Sequence, residues 1–240
     1  MSSTRDPSGE IRWLYVMWRR PGLSPESFTT ALIHFVGPEL RALGALDLVL
    51  YAADARAEAA RAARITRLDP SLDGTLSFRP PCAAASEGIE AVLASCCGRV
   101  AGYVVERRVA LATPKTDEAP GVPSAGLVML ACLERPDWID PESWQQRWLE
   151  EHVSVALETQ STHLYVRNVV IRALTDAAPP WAGFVEEGFA TEAVTSPMLW
   201  YDARGSPEQL ERNLARMLES CRRFLDLERI ESHPLTRYRL

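Results

Sequence analysis

The sequence lacks the features that mark membrane, secreted or nucleic-acid-binding proteins. No apolar run reaches the roughly 18 residues needed to span a bilayer, and the polar start, MSSTRDPSGE, has no signal-peptide core. Lys and Arg total 26 against 32 Asp and Glu, giving a formal net charge of −6, and no basic cluster offsets this acidity. We therefore expect a cytoplasmic protein with no membrane or nucleic-acid partner.

The motifs of several common enzyme classes are also absent. The chain has no P-loop, GxGxxG, HExxH or Ser-His-Asp signature, so nucleotide-dependent, zinc-protease and hydrolase functions have no support. The cysteines are odd in number and lack metal-ligand spacing, which predicts reduced, buried side chains and no metal site. These cysteines are Cys82, Cys96, Cys97, Cys132 and Cys221.

What the sequence does contain is an internal repeat. The stretch from Arg20 to Phe28 and the stretch from Arg135 to Trp144 share an Arg-Pro pair, a helix-capping residue, Pro-Glu-Ser and then an aromatic residue. The two copies are about half the 240-residue chain apart, and each lies between two apolar, strand-like runs. A stretch with three prolines, TPKTDEAPGVPS, separates them. We predict an N-terminal domain at 1–112, a linker at 113–124 and a C-terminal domain at 125–240.

Both halves show the same order of predicted elements: strand, helix, strand, strand, helix, strand. The predicted strands are 11–19, 46–52, 74–79, 102–111, 125–134, 162–171, 198–202 and 230–238, and the main helices are 25–43, 84–97, 141–158 and 207–225. This order predicts an α+β fold of two tandem ferredoxin-like (βαββαβ) units whose antiparallel sheets pack against each other within one chain.

A long stretch, 173–197, precedes the predicted third strand of the second half. Loops of this length are often functional, and this one carries Trp181, Phe184 and Phe189. We interpret it as a lid over a pocket, although 184–189 could itself be a strand.

One helix face in the second half carries the strongest functional signal. Trp144, Trp148 and His152 follow each other at four-residue spacing and therefore project from one side of the helix. Their counterparts in the first half are apolar, with Val36 in place of His152. Two indoles and an imidazole suit a pocket for a flat, apolar ligand with one proton-transfer group, because imidazole titrates near neutral pH. A core role for the two tryptophans stays open.

Further candidates lie on the strands of the same half. Tyr165 could donate a hydrogen bond to a developing enolate or phenolate oxygen, with Asn168 and Arg167 as alternative donors. Trp200 and Tyr201 lie on the predicted third strand, where alternation would turn one of them toward the pocket. For each of these residues, sheet packing is the alternative.

The residues from Leu127 to Val170 resemble an EthD-domain protein. They combine a strand, Arg-Pro, a capped Pro-Glu-Ser-Trp helix ending in Trp-Leu-Glu-Glu-His, and a strand with Tyr-Val-Arg-Asn. Two departures exist: Val-Ser-Val follows His152 where relatives usually have Pro-Leu, and Val36 replaces the histidine in the first copy. The resemblance therefore implies one site per chain.

This resemblance implies a dimeric α+β barrel with a pocket between helices and sheet. It implies a cofactor-independent enzyme acting on a small hydrophobic or aromatic compound, polyketide-like or quinone-like. The local chemistry agrees and makes His152 and Tyr165 the candidate catalytic residues. The reaction would be of cyclase, decarboxylase, lyase or monooxygenase type, and a homodimer is possible. Two alternatives stay open: a haem protein with His152 as the iron ligand, and a non-catalytic binder of a hydrophobic metabolite.

Overall fold

Antiparallel strands close into one barrel in the computed structural model, which describes residues 9–81, 85–113 and 119–240. The strands are β1 Glu10–Arg19, β2 Leu46–Ala52, β3 Gly74–Arg79, β4 Cys97–Leu111, β5 Leu127–Leu133, β6 Leu164–Ala173, β7 Gly183–Phe189 and β8 Glu231–Arg239. Their order around the barrel is β1-β3-β2-β8-β5-β7-β6-β4, and β4 pairs with β1 to close it. Each of these strands is therefore hydrogen-bonded to a neighbouring strand on both of its edges.

Helices cover the outside of the barrel. They are α1 Pro25–Ala31, α2 Gly37–Ala42, α3 Ala55–Glu58, α4 Ser86–Leu93, α5 Pro141–Gln146, α6 Val153–Thr159, α7 Thr191–Val194, α8 Pro197–Trp200 and α9 Pro207–Arg222. The first predicted helix of each half is continuous but contains a π-helical turn, at Leu32–Val36 in one half and at Arg147–His152 in the other. Both helices begin at the predicted caps, since Ser24 and Asp140 each accept a hydrogen bond from a backbone N–H three residues later.

The two halves contribute equally to the barrel. The first half contributes four adjacent strands in the order β4-β1-β3-β2, and the second half contributes four in the order β8-β5-β7-β6. The pairs β2–β8 and β4–β6 join the halves edge to edge. The barrel therefore forms within one chain, with the sheets joined at their edges as well as facing each other. The ferredoxin-like description and the domain limits stay predictions, and the predicted linker 113–124 lies partly outside the described residues.

Alternation along the strands separates the barrel interior from two outer layers. The interior is packed with apolar side chains, including Leu14, Val16, Tyr103, Leu130, Phe184 and Leu235. On the outer face of the first half, α1, α2 and α4 pack through residues such as Phe28, Leu40 and Ile89. The matching outer layer of the second half contains the tryptophans of the candidate site.

The structure corrects two predictions in the second half. The third strand is β7, and the predicted strand 198–202 is instead the short helix α8, which begins at Pro197 in the favourable first helical position. The predicted lid is wrong for its aromatic residues. Phe184 fills the barrel interior, while Trp181 and Phe189 are buried. Residues 184–189, for which a strand was the open alternative, form most of β7, with Phe184 and Glu186 facing the barrel interior and Val185 and Glu187 facing the helices.

Other predictions have simpler outcomes. Cys96, Cys97 and Cys132 are buried free thiols and Cys221 is half-buried, whereas Cys82 lies outside the described residues. The predicted helix 84–97 also lies partly outside them. Within the described part of the chain, no helix is long and apolar enough to cross a membrane.

Candidate functional site

The candidate site is the outer layer of the second half, where α5, α6 and α9 cover β5, β7 and β6. Strand alternation turns Tyr165 and Glu187 toward these helices and turns Asn168 into the barrel. The structure therefore brings together Trp144, Trp148, His152 and Tyr165, as the sequence predicts, and separates Asn168 from them.

His152 lies at the end of the π-helical turn and is 6% exposed. Its Nδ1 is 2.8 Å from Ser220 Oγ on α9, and its ring centroid is 4.9 Å from that of Phe224. Burial lowers the pKa of His152 to about 4, because a charged imidazole loses hydration in this layer. The imidazole is therefore neutral at pH 7 and can accept a proton on one nitrogen while donating from the other.

The two tryptophans are fully packed between helix and sheet. Their ring centroids are 4.8 Å apart, and the six-membered ring of Trp148 lies directly over Gly183, where a Cβ would be 2.2 Å from Cη2. Neither indole Nε1 has a hydrogen-bond partner among the described residues. Trp144 and Trp148 thus contribute to the core of this layer, the alternative that the sequence left open, and they carry two unsatisfied N–H donors beside His152.

Tyr165 lies beneath the helices on β6. Burial raises the pKa of its hydroxyl well above the ordinary value, and the negative charge of Glu187 adds to this effect. The phenol therefore stays protonated over the working pH range and is a hydrogen-bond donor rather than a base.

Glu187, on β7 opposite Tyr165, is the titratable residue that sequence reasoning missed. Burial raises the pKa of this half-buried carboxyl to about 7. With the Gln160 amide oriented to satisfy both neighbours, its nitrogen donates to Glu187 Oε1 at 3.1 Å and its oxygen accepts from Trp200 Nε1 at 3.0 Å. The signal that could have revealed Glu187 is the pair of adjacent glutamates inside the apolar run GFVEEGF.

Trp200 and Tyr201 lie on and just after α8, and both line a cavity of about 370 Å³ on the outer face of the barrel. Trp200 stacks on Phe189 with centroids 3.9 Å apart. The remaining lining residues are Ala62, Ala63, Ile65, Met129, Val194, Thr195, Pro197 and Ser232. Every residue of this lining is uncharged, so the cavity suits a neutral, largely apolar molecule.

Asn168 belongs to a different network, inside the barrel. Its Nδ2 donates to Glu186 Oε1 at 2.8 Å, and the Tyr51 hydroxyl donates to Glu186 Oε2 at 2.5 Å. This network links β2 of the first half to β6 and β7 of the second, so Asn168 stabilises the barrel and does not contact the cavity beside Trp200.

The residues around His152 do not fit haem. The ring is packed against Phe224, and its low exposure leaves no open face toward which a macrocycle could place iron. In the described part of the chain, no three His, Cys, Asp or Glu residues come together in a way that could hold a metal ion.

Comparison with solved structures finds similar folds over nearly the whole chain. A protein described as a monooxygenase from Fusobacterium nucleatum subsp. nucleatum matches with a TM-score of 0.54 and 9% identity, covering 97% of this chain and 94% of that one. An anthrone oxidase-like protein matches with a TM-score of 0.55 and 11% identity, with the same coverage. No family model matches, and no curated protein matches by sequence. At these identities the likeness concerns the fold alone, a closed barrel of eight antiparallel strands with helices on its outside.

Proposed function

We propose that this protein is a cofactor-independent enzyme that acts on a small, hydrophobic, ring-containing compound by proton transfer. The observation that carries this proposal is the uncharged, aromatic-walled cavity beside Trp200 and Tyr201, on the same outer sheet face as Tyr165, which the helix with His152 covers. We interpret each half as a ferredoxin-like unit of an EthD-like protein, supported by the equal strand order of the halves.

The uncharged lining of the cavity is the reason for proposing a neutral, ring-containing substrate. An anion or cation would lose its hydration there without gaining a counter-charge, whereas a neutral ring would keep apolar contacts with Met129 and the indole of Trp200. The hydroxyls of Thr195, Tyr201 and Ser232 offer hydrogen bonds to a carbonyl or hydroxyl group on such a ring.

The titratable groups suit proton transfer to and from carbon or oxygen. His152 is neutral at pH 7 and can accept a proton, and the protonated Tyr165 can stabilise the oxygen on which negative charge develops. The names of the two structural neighbours, a monooxygenase and an anthrone oxidase-like protein, support a small-molecule enzyme; this chain's reaction is proposed from its residues.

Deuterium exchange tests the proposal without knowledge of the natural substrate. The probe is 2-tetralone, a neutral bicyclic ketone with acidic C–H groups, incubated with the protein in D2O and followed by mass spectrometry. We expect the wild-type protein to accelerate exchange, and His152→Ala to reduce this by about 10²–10⁴, as for a lost general base.

Two results would contradict the proposed catalytic function. Saturable binding of 2-tetralone without accelerated exchange would favour the non-catalytic binder. Equal exchange by wild type and His152→Ala would remove His152 from the catalytic residues.

A further inference from the structure

Glu187 is a carboxyl group on the outer sheet face, where the nearest cation of β6, Arg167, is engaged with the backbone oxygen of Leu149. Its side chain makes no ion pair with any described Lys, Arg or His, in contrast to partly buried carboxylates elsewhere in the chain, such as Asp73 with Arg19 and Glu134 with Arg229. A carboxylate in such surroundings costs free energy that a purely structural role would not require. Unpaired, half-buried carboxyls of this kind are typical of proton-transfer sites.

The position of Glu187 connects the cavity to the candidate site. Its Cα partners are Tyr165 on β6 and Met129 on β5, so the three side chains lie side by side on one sheet face. Met129 lines the cavity, as does Tyr201, whose pKa rises to about 12 through burial and through the nearby charges of Cys221 and Glu187. Glu187 therefore lies next to the lining residue Met129 and directly behind the lining of the cavity.

Gln160 fixes one oxygen of this carboxyl. Its amide donates to Glu187 Oε1 and accepts from the Trp200 indole, so that a single side chain joins the carboxyl to the aromatic wall of the cavity. Glu187 Oε2 has no hydrogen-bond partner among the described residues.

The groups that face Glu187 come from three sides: Tyr165 from β6, Tyr201 from the segment after α8, and Cys221 from α9. Burial holds the pKa of each of these three groups above its ordinary value, so none carries a compensating charge near neutral pH. Glu187 is the member of this group whose protonation changes near pH 7.

We infer that Glu187 is a second proton-transfer group of this site and that Gln160 is the residue that positions it. This inference rests on the proposed function. His152 takes a proton from an acidic C–H of the bound ketone, which leaves an enolate and an imidazolium, and the protonated Glu187 gives a proton to the ligand. The imidazolium and the carboxylate then return to their starting forms by proton exchange with water, so no oxidant or other reactant is consumed.

The test is the pH profile of 2-tetralone exchange in D2O for wild type, Glu187→Gln and Gln160→Leu, with binding followed by tryptophan emission. We expect Glu187→Gln to bind the ketone but to lose about 10²-fold or more of the exchange rate. Gln160→Leu should move the midpoint of the profile to higher pH, because the hydrogen bond from the Gln160 amide, which this variant lacks, holds the pKa of Glu187 down. Glu192→Gln, at an exposed carboxyl on α7, is the matched control and should behave as wild type.

The outcomes separate the two proposals. A wild-type protein that neither binds 2-tetralone nor accelerates its exchange overturns the proposed function, and this inference with it. Wild-type exchange that persists unchanged in Glu187→Gln overturns the role of Glu187 alone. A Gln160→Leu profile that coincides with that of wild type overturns the positioning role, and this readout is independent of whether Glu187→Gln folds.

Discussion

At the scale of single residues, one outer layer of the barrel displaces two pKa values in opposite directions. Burial lowers the pKa of His152 to about 4 and raises that of Glu187 to about 7, because in both cases the charged form loses hydration. At neutral pH the site therefore holds a neutral imidazole and a carboxyl that exchanges its proton readily. Opposite displacements of this kind are typical of acid–base pairs in enzymes.

Glu187→Gln should stabilise the protein at high pH. The raised pKa means that the folded state binds more protons than the unfolded state between about pH 4.5 and 7, so the wild type loses stability as the pH rises through this window. Urea denaturation should show Glu187→Gln more stable than wild type at pH 8, by on the order of 2 kcal/mol. The difference should fade toward pH 4.5, and a pH-independent difference would contradict the raised pKa.

His152→Gln should have the opposite dependence. The lowered pKa makes the unfolded state bind more protons between about pH 4 and 6.5, so the contribution of His152 is complete above pH 6.5 and declines as the pH falls. The stability difference between wild type and His152→Gln should therefore shrink on acidification, by on the order of 2 kcal/mol. The pKa of His233 is also lowered, but His233 is present in both proteins and cancels from the difference.

Gly183→Ala should disturb the packing of Trp148. The added Cβ would lie 2.2 Å from Trp148 Cη2, so the indole has to move within a packed layer. We expect a loss of about 1–3 kcal/mol in urea denaturation and a shifted tryptophan emission. Gly88→Ala, at a glycine within α4, is the control, because its Cβ would contact only Leu43 Cδ1, at 3.8 Å.

The sequence predicted part of this residue-scale picture. The spacing of Trp144, Trp148 and His152 correctly placed all three on one helix face, because helical periodicity is a local property. Glu187 was missed because its unusual environment arises from residues distant in sequence, above all Gln160 and Trp200.

At the scale of elements, local chemistry decided which boundaries could be predicted. The helix starts after Ser24, Asp140 and Ser206 were correct, since each cap is a hydrogen bond to a backbone N–H three residues later. The π-helical turns were not predicted, and β7 was predicted only as the alternative to a loop. A π turn depends on packing against the sheet, and each face of β7 carries both an apolar residue and a glutamate, which removes the alternation that marks a strand.

Ser206→Ala tests the contribution of one such cap. Ser206 Oγ accepts from the backbone N–H of Gln209 at the start of α9, the helix that carries Ser220 opposite His152. We expect a loss of about 1 kcal/mol in chemical denaturation. Ser154→Ala, at an exposed serine on α6, should have almost no effect, and equal losses in both variants would contradict the capping role.

At the scale of the whole molecule, the repeat in the sequence predicted two similar halves but not how they join. The pairs β2–β8 and β4–β6 involve residues far apart in the chain, and no local pattern encodes such edge pairing. The joined barrel also explains why Asn168 lies away from the candidate site, since the inner face of β6 belongs to an interior shared by both halves.

The shared barrel predicts that both halves unfold together. β3 lies between two strands of the first half, and β7 lies between two strands of the second half. In native-state hydrogen exchange, the amides of both strands should lose protection at the same urea concentration. Loss of protection in one half while the other stays protected would contradict a barrel in which the β2–β8 and β4–β6 pairs join the two halves.

A titration of 2-tetralone, followed by tryptophan emission, measures whether a neutral ring compound binds beside Trp200. The proteins to compare are wild type, Trp200→Leu and the control Trp138→Leu, at an indole that is 58% exposed. We expect saturable binding that weakens about tenfold or more in Trp200→Leu, equivalent to the loss of about 1.4 kcal/mol of contact, and that stays unchanged in Trp138→Leu. The absence of saturable binding to wild type, or equal affinity in all three proteins, would contradict it.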